Sequence, residues 1–416
     1  MARFIIEGGR ALKGEIRAQG AKNSALPILT ASLLCSGKVV IHNCPNLSDV
    51  RAVFKILRHL GASVEFSDST AVIDTAGVNR YDIPDDLMRE MRSSALFLGA
   101  LAGRMGKAVM SFPGGCELGP RPIDLHTSAL CRLGFSICEE YGELKLERSS
   151  MRAATIDLGF PSVGATENIL LAAAISEGET IITGSAREPE IIDLAAFLNS
   201  AGADIKGAGE STILIKGVKR LYGTEYGVMS DRIETATYMS FAGLTGGEIF
   251  IKGADPSALS AVIPVVEAAG PRVYPVPGGI YINGRGTIYS VPPIRTMPYP
   301  GFPTDAQAPI MAMLSIARGT TIFIENIFES RYKHVDELNR MGADIRTEGR
   351  TAVVSGVPKL YGAKVVAKDL RGGAALVGAA LCAEGRSEIK GICHIDRGYQ
   401  SLDTTLKSLG ADIIRK

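Results

Sequence analysis

The chain has 416 residues, with 45 Lys plus Arg against 44 Asp plus Glu, 46% apolar and 21% charged residues, 47 Gly and no Trp. That length and balance describe a globular chain of two or three domains. A formal charge of +1 leaves no excess field to hold nucleic acid or a membrane surface, so an anionic ligand must be caught by a local cluster.

The N-terminal Met-Ala-Arg-Phe-Ile-Ile-Glu-Gly-Gly lacks the long apolar region of a signal peptide. Apolar runs such as Ile169 to Ile175 fall far short of the roughly 20 residues that span a bilayer. Residues Arg3–Glu7 read as a strand that precedes the first of six similar units and must pair elsewhere. Each unit opens with an apolar, helix-like stretch that stops at a Gly. A β-rich run, a polar loop and a second amphipathic stretch come next, and a second Gly opens another strand. In chain order the units run from ALPILTASLLCSG to RHLGASV, ALFLGALAGRMG to CRLGFSI, ILLAAAISEG to NSAGADI, ATYMSFAGLTGG to EAAGPRV, APIMAMLSIARG to NRMGADI, and AALVGAALCAEG to KSLGADI. The first glycines are Gly37, Gly106, Gly178, Gly247, Gly319 and Gly385, and the second are Gly61, Gly134, Gly202, Gly270, Gly342 and Gly410. Both sets fall where a helix would end in the left-handed conformation. Each unit therefore reads as helix, strand, helix, strand over about 70 residues, an α/β pattern. Opening helices apolar on nearly every side, such as NILLAAAIS, predict helices inside and sheets outside. A break near residues 223–227 divides the six units into three and three.

No dinucleotide fingerprint and no phosphate-binding P-loop motif is present. The seven cysteines, at 35, 44, 116, 131, 138, 382 and 393, are odd in number and lack C-x-x-C spacing, which argues against a disulfide framework or structural zinc. The expectation is a reduced, cytoplasmic protein without cofactor or metal. Cys35, Cys131 and Cys382 read as small core residues of apolar helices.

Four segments carry polar residues that the recurrent pattern does not require. In Gln19-Gly20-Ala21-Lys22-Asn23-Ser24, Lys22 at a helix start is either a solvated side chain beside an Asn or Ser cap, or part of an anion site. The Gly- and Pro-rich loop between Phe112 and His126 places Cys116 near Arg121 and Glu117, as an inert loop thiol or a reactive thiolate. Ahead of the fifth apolar helix, Asp305 is either a cap or a general base. Arg331 and Arg397 occupy equivalent inter-strand loops, as salt bridges or ligand contacts.

Taken together, the motifs GAKNSALP, GGCELGPRPIDLH, PSVGATEN, SDRIETATYM, YPGFPTDAQ, SRYKHVDEL and IDRGYQSL resemble the UDP-N-acetylglucosamine 1-carboxyvinyltransferase family of enolpyruvyl transferases from end to end. The resemblance implies a two-domain inside-out α/β barrel of six repeats, residues 22–228 forming one domain and 1–21 with 229–416 the other, with the active site in the cleft between them. It implies transfer of the enolpyruvyl group of phosphoenolpyruvate to the 3′-hydroxyl of UDP-N-acetylglucosamine, the first committed step of peptidoglycan precursor synthesis, and sensitivity to fosfomycin. By the same resemblance Cys116 donates the proton to phosphoenolpyruvate and Asp305 is the base or orienter of the sugar hydroxyl. Lys22, Asn23, Arg121 and Arg397 surround phosphoenolpyruvate. Asn23, Arg92, Arg121, Pro122, Ile123, Asp124, Leu125, Ser162, Val163, Gly164, Asp305 and Ile327 bind the nucleotide sugar, and Arg331 is a further candidate. Phe160-Pro161 stands where some relatives carry a basic residue, which weakens an ionic diphosphate contact there.

Two rivals differ in chemistry. The sister transferase acting on shikimate 3-phosphate should lack the Cys loop followed by RPIDLH. A non-catalytic nucleotide-sugar-binding paralogue would have no need to keep Lys22, Cys116, Asp305 and Arg397 together.

Overall fold

The computed structural model describes residues 2–113, 123–150 and 152–416. The chain divides into two compact units, residues 20–229 and residues 2–19 with 230–416, counting described residues. Each has its own apolar core. One gathers Leu26, Phe97, Leu170 and Phe197 among others, and the second Phe4, Tyr238, Phe241, Met311 and Leu376.

Among the described residues there are six four-stranded sheets, three in each unit, and one two-stranded sheet. All six share one plan. The strand that comes after a buried helix pairs in parallel with an edge strand on one side and antiparallel with a hairpin strand on the other, and that strand in turn pairs antiparallel with the fourth. In the second sheet these are Lys107–Ser111, Asp82–Ile83, Glu143–Arg148 and Phe135–Glu140. The helix–strand–helix–strand reading missed the hairpin strands, such as Glu143–Arg148, where only every second residue is apolar and the run looks like solvated loop.

The strand Arg3–Glu7 finds its partners at the far end of the chain. It lies antiparallel between Arg386–Lys390 and Asp412–Arg415, with Arg3 opposite Lys390 and Phe4 opposite Arg415. The sixth sheet is thus completed by the N-terminus in the place a hairpin strand fills elsewhere. Glu225–Gly227 similarly returns to pair in parallel with Lys38–His42.

The apolar helices are buried as their sequences require. Along Val163–Ala173, Ile169, Leu170 and Leu171 are each 0% exposed although they point in different directions around the axis. Burying each such side chain stabilises the fold by roughly 1.5–3 kcal/mol. Gly99 lets this helix approach Leu96–Met105 closely, since a Cβ there would lie 2.5 Å from the carbonyl oxygen of Asn168.

Eleven of the twelve glycines named from sequence have positive φ, but Gly247 does not; the helix Arg232–Thr245 ends instead at Gly246, with φ 62°. Among the cysteines, Cys35 is buried but belongs to the short strand Cys35–Ser36, Cys382 is half-buried, and Cys131 is exposed, contrary to the core reading. Cys131 lies on the solvent face of an amphipathic helix, Asp124–Arg132, that has one buried stripe. No described helix is long and apolar enough to cross a membrane. Among the described residues no three His, Cys, Asp or Glu side chains are placed to hold a metal ion.

Candidate active site

In the unit of residues 20–229, Lys22 is the first residue of the helix Lys22–Ala31, and its cap is Ala21 rather than Asn or Ser. The ammonium Nζ lies 2.8 Å from Asp49 Oδ2, and the two side chains are only 12% and 5% exposed. Asp49 in turn occupies the first turn of the helix Ser48–His59. Lys22 is therefore a held cation at a helix start, where free N–H groups already favour an anion. Asn23 beside it is exposed. Ser24 is buried and its hydroxyl donates to Asp193, which also accepts from Tyr226 Oη at 2.6 Å.

Cys116, Arg121 and Pro122 lie outside the described residues. Residues flanking that segment form a second cluster. Arg92 donates to the Pro113 carbonyl at 3.4 Å. Ile123 is buried, Asp124 exposed and Leu125 half-buried at the start of the helix Asp124–Arg132. Ser162 caps the helix Val163–Ala173, its hydroxyl accepting from Ala165 N at 3.3 Å. Gly164 packs against His126 so closely that a Cβ would lie 2.8 Å from the ring Cε1. His126 Nδ1 is 2.7 Å from Asn168 Nδ2, so Nδ1 accepts and the ring is neutral with its proton on Nε2. Burial, assisted by the Arg92 charge and opposed by Asp124, lowers the His126 pKa to about 4.

In the other unit, Asp305 is the second residue of the helix Thr304–Leu314, in the first turn after the cap at Pro303. Its Oδ1 accepts from Arg331 Nη2 at 2.9 Å and its Oδ2 from Arg371 Nη2 at 3.1 Å. Both guanidinium side chains are 3% exposed, while that of Asp305 is 28% exposed. The carboxylate is thus aimed by two charge-assisted bonds from below and keeps a solvent-facing edge. Arg331 also donates to the Thr304 carbonyl at 3.0 Å, which fixes the start of the same helix. Thr304 Oγ1 donates to the buried Glu325, whose other oxygen accepts from Ile327 N at 2.8 Å, tying the Ile327 loop to this helix start.

Arg397 ends the one-turn helix Ile395–Arg397 and is half-buried. Tyr399, two residues on, is 1% exposed, and its hydroxyl meets Thr237 Oγ1 at 2.8 Å and Arg371 Nη1 at 3.1 Å. Within this unit the structure therefore connects Asp305, Arg331, Arg371 and the Arg397 loop. Sequence reasoning missed Arg371, Glu325 and His126. A charged residue opening a helix otherwise as apolar as LRGGAALVGAALC was the available signal for Arg371.

A family described as EPSP synthase (3-phosphoshikimate 1-carboxyvinyltransferase) matches residues 6–406. Similar proteins include UDP-N-acetylglucosamine 1-carboxyvinyltransferase 2 of Caldanaerobacter subterraneus subsp. tengcongensis, 51% identical over 415 residues and covering 100% of both chains. UDP-N-acetylglucosamine 1-carboxyvinyltransferase 1 of Carboxydothermus hydrogenoformans is 47% identical, covering 100% of this chain and 98% of its own. Among solved structures, the enolpyruvyl transferase NikO from Streptomyces tendae superposes with a TM-score of 0.90 at 26% identity, covering 100% of this chain and 99% of that one. EPSP synthase from Acinetobacter baumannii, at 22% identity, covers 100% of both chains with a TM-score of 0.76 and so shares the α/β fold.

Proposed function

The chain belongs to the enolpyruvyl transferase family, and from that membership we propose that it transfers the enolpyruvyl group of phosphoenolpyruvate to the 3′-hydroxyl of UDP-N-acetylglucosamine, releasing phosphate. The observation that carries this choice of acceptor is 51% identity, across the whole chain, to a protein named for it. In a bacterium this is the first committed step of peptidoglycan precursor synthesis.

The reaction needs one acid and one base. The sugar hydroxyl oxygen bonds to carbon 2 of phosphoenolpyruvate while carbon 3 gains a proton, giving a tetrahedral ketal. Carbon 3 then loses a proton, the carbon 2 to phosphate-oxygen bond breaks, and phosphate leaves. Cys116 is the proposed donor to carbon 3. Asp305 is the proposed base or orienter for the hydroxyl, a role supported by its fixed aim and exposed edge. Lys22, Asn23, Arg121 and Arg397 are the proposed contacts to phosphoenolpyruvate, whose phosphate and carboxylate suit cationic partners. Asn23, Arg92, Arg121 to Leu125, Ser162 to Gly164, Asp305 and Ile327 are assigned to the nucleotide sugar. Arg331, buried against Asp305, acts as a positioning residue rather than a ligand contact.

The finer architecture belongs to the same proposal: an inside-out α/β barrel pair of six repeats of about 70 residues, with domains 22–228 and 1–21 plus 229–416. The common strand plan of the six sheets supports it.

Phosphate release from phosphoenolpyruvate, measured with each acceptor, tests the activity. Release with UDP-N-acetylglucosamine and none with shikimate 3-phosphate is expected; the reverse would overturn the proposal. Cys116→Ala should abolish fosfomycin labelling and reduce turnover by at least about 100-fold, and retained labelling would remove that residue from its role.

A further inference from the structure

We propose that Gln19 is a positioning residue for Arg397, holding the loop that presents this cation to phosphoenolpyruvate; the inference rests on the reading of Arg397 as a substrate contact. The one-turn helix Ile395–Arg397 has little internal structure to aim a side chain. Its last amide, Arg397 N, reaches the His394 carbonyl only at 3.4 Å. The preceding residue is anchored by the Asp396–Arg415 pair, and the backbone on the C-terminal side of Arg397, where the Gly398 and Tyr399 amides return to the Ile395 carbonyl at 3.0 and 3.1 Å, is the other part of the frame that sets its direction.

Residues 398–400 are pinned at three points. The side-chain amide of Gln19 donates through Nε2 to the Gly398 carbonyl at 2.8 Å and accepts through Oε1 from Gln400 N at 2.9 Å. Between them, the buried Tyr399 is fixed through its hydroxyl to Thr237 and Arg371. A primary amide is suited to this pair of bonds because it offers a donor and an acceptor side by side without charge. An ionised Glu could not donate to the carbonyl, and Asn is one methylene shorter.

Gln19 is itself held on both backbone sides. Its N–H donates to a carboxyl oxygen of the buried Glu234 at 2.7 Å, and its carbonyl accepts from Asp231 N at 2.8 Å. Asp231 caps the helix Arg232–Thr245, on which Glu234 occupies the first turn. The rigid start of a buried helix therefore transmits its position through one glutamine to the backbone beside Arg397. Gln19 and the SDRIETATYM segment thereby acquire a role that the proposed reaction alone does not give them.

The test compares Gln19→Met, of similar shape without the polar amide, and Gln19→Ala with Arg397→Ala, all in the full chain. Readouts are kcat, the KM for each substrate and the unfolding midpoint. Both Gln19 variants are expected to raise the phosphoenolpyruvate KM about tenfold, with the nucleotide-sugar KM within about twofold of the parent. Arg397→Ala should raise the phosphoenolpyruvate KM at least as much. If Arg397→Ala has that effect while the Gln19 variants leave both KM values unchanged, or shift both equally with a lowered midpoint, the positioning role is overturned and the assignment of Arg397 stands. If Arg397→Ala leaves the phosphoenolpyruvate KM unchanged, the assignment of Arg397 falls and the inference with it.

Discussion

Arg371 and Asp305, 66 residues apart in the chain, meet through an Nη2–Oδ2 bond of 3.1 Å, while the other terminal nitrogen of Arg371 reaches the Tyr399 hydroxyl. One buried guanidinium thus links the carboxylate to the Arg397 loop. The planar fork allows this, because its two terminal nitrogens reach different elements from a single rigid plane.

Arg371→Lys should expose that geometry. An ammonium retains the charge but cannot reach both partners in the same plane, so Asp305 loses part of its aim. We expect kcat to fall about 10- to 100-fold, since misplacing a reacting group by about 1 Å can cost that much. Thermal denaturation alongside steady-state kinetics checks it. Breaking the pair should also cost stability, at the lower end of the ~3–5 kcal/mol typical of buried pairs because Asp305 is partly open to water. Unchanged kcat would mean that Arg331 alone orients the carboxylate.

Glu234 predicts a loss of stability as pH rises from the acid range to about 8. Burial, reinforced by the Asp231 charge and offset by the Gln19 N–H and the Arg371 charge, raises its pKa to about 8. Between the unfolded value near 4.3 and about 8, the folded state holds a proton that the unfolded state has released. Stability therefore falls as pH rises through that window. Glu234→Gln, which resembles the protonated acid, should remove the slope and gain a few kcal/mol near pH 8. Urea denaturation of both proteins at pH 5 and pH 8 checks this; parallel pH dependences would sink it.

The architecture was legible in sequence where spacing carried the signal. Helices such as Val163–Ala173 have no polar side, and Gly106 ends its helix with φ 67°, as a residue without Cβ can do cheaply. Long-range partners left no such trace. Nothing local to Arg3–Glu7 specifies a place between Arg386–Lys390 and Asp412–Arg415. The candidate site divides in the same way. Lys22 stands out because a cation breaks the local rule at a helix start, whereas Asp305 obeys that rule and its second reading comes from the polar segment around it. His126 reads as an ordinary helix residue until its contact with Gly164, 38 residues later, is known. Asp49 is hidden for the same reason, and Arg371 shows only as a charge opening an apolar helix, its partners being set by tertiary packing.

Gly164→Ala should separate nucleotide-sugar binding from folding. The added methyl would sit 2.8 Å from the His126 ring, so the ring or the helix start must move. Overpacking of this kind typically costs ~1–3 kcal/mol. Because Ser162 to Gly164 are assigned to the nucleotide sugar, its KM should rise about tenfold, with a smaller change for phosphoenolpyruvate. Isothermal titration with UDP-N-acetylglucosamine and a thermal melt provide the two readouts. Lower stability with intact sugar affinity would detach this turn from the binding site.

His126 predicts the acid limb. Its pKa is depressed to about 4, chiefly by burial, against an unfolded value near 6.5. Below about 6.5 the unfolded chain takes up a proton that the folded ring refuses, so stability is lost as pH falls from 6.5 to 4. The neutral ring is needed because Nδ1 accepts from Asn168, whose own Oδ1 accepts from Gly99 N at 2.6 Å and so orients the amide. Protonation would set two donors against each other in a buried space and loosen the helix start that carries Ser162 to Gly164. His126→Gln keeps an acceptor for Asn168 without titrating. Between pH 7 and pH 4 the parent protein should lose about 2–3 kcal/mol more than this variant. Urea midpoints across that range decide the matter, and coincident losses in the two proteins would place the acid-sensitive group elsewhere.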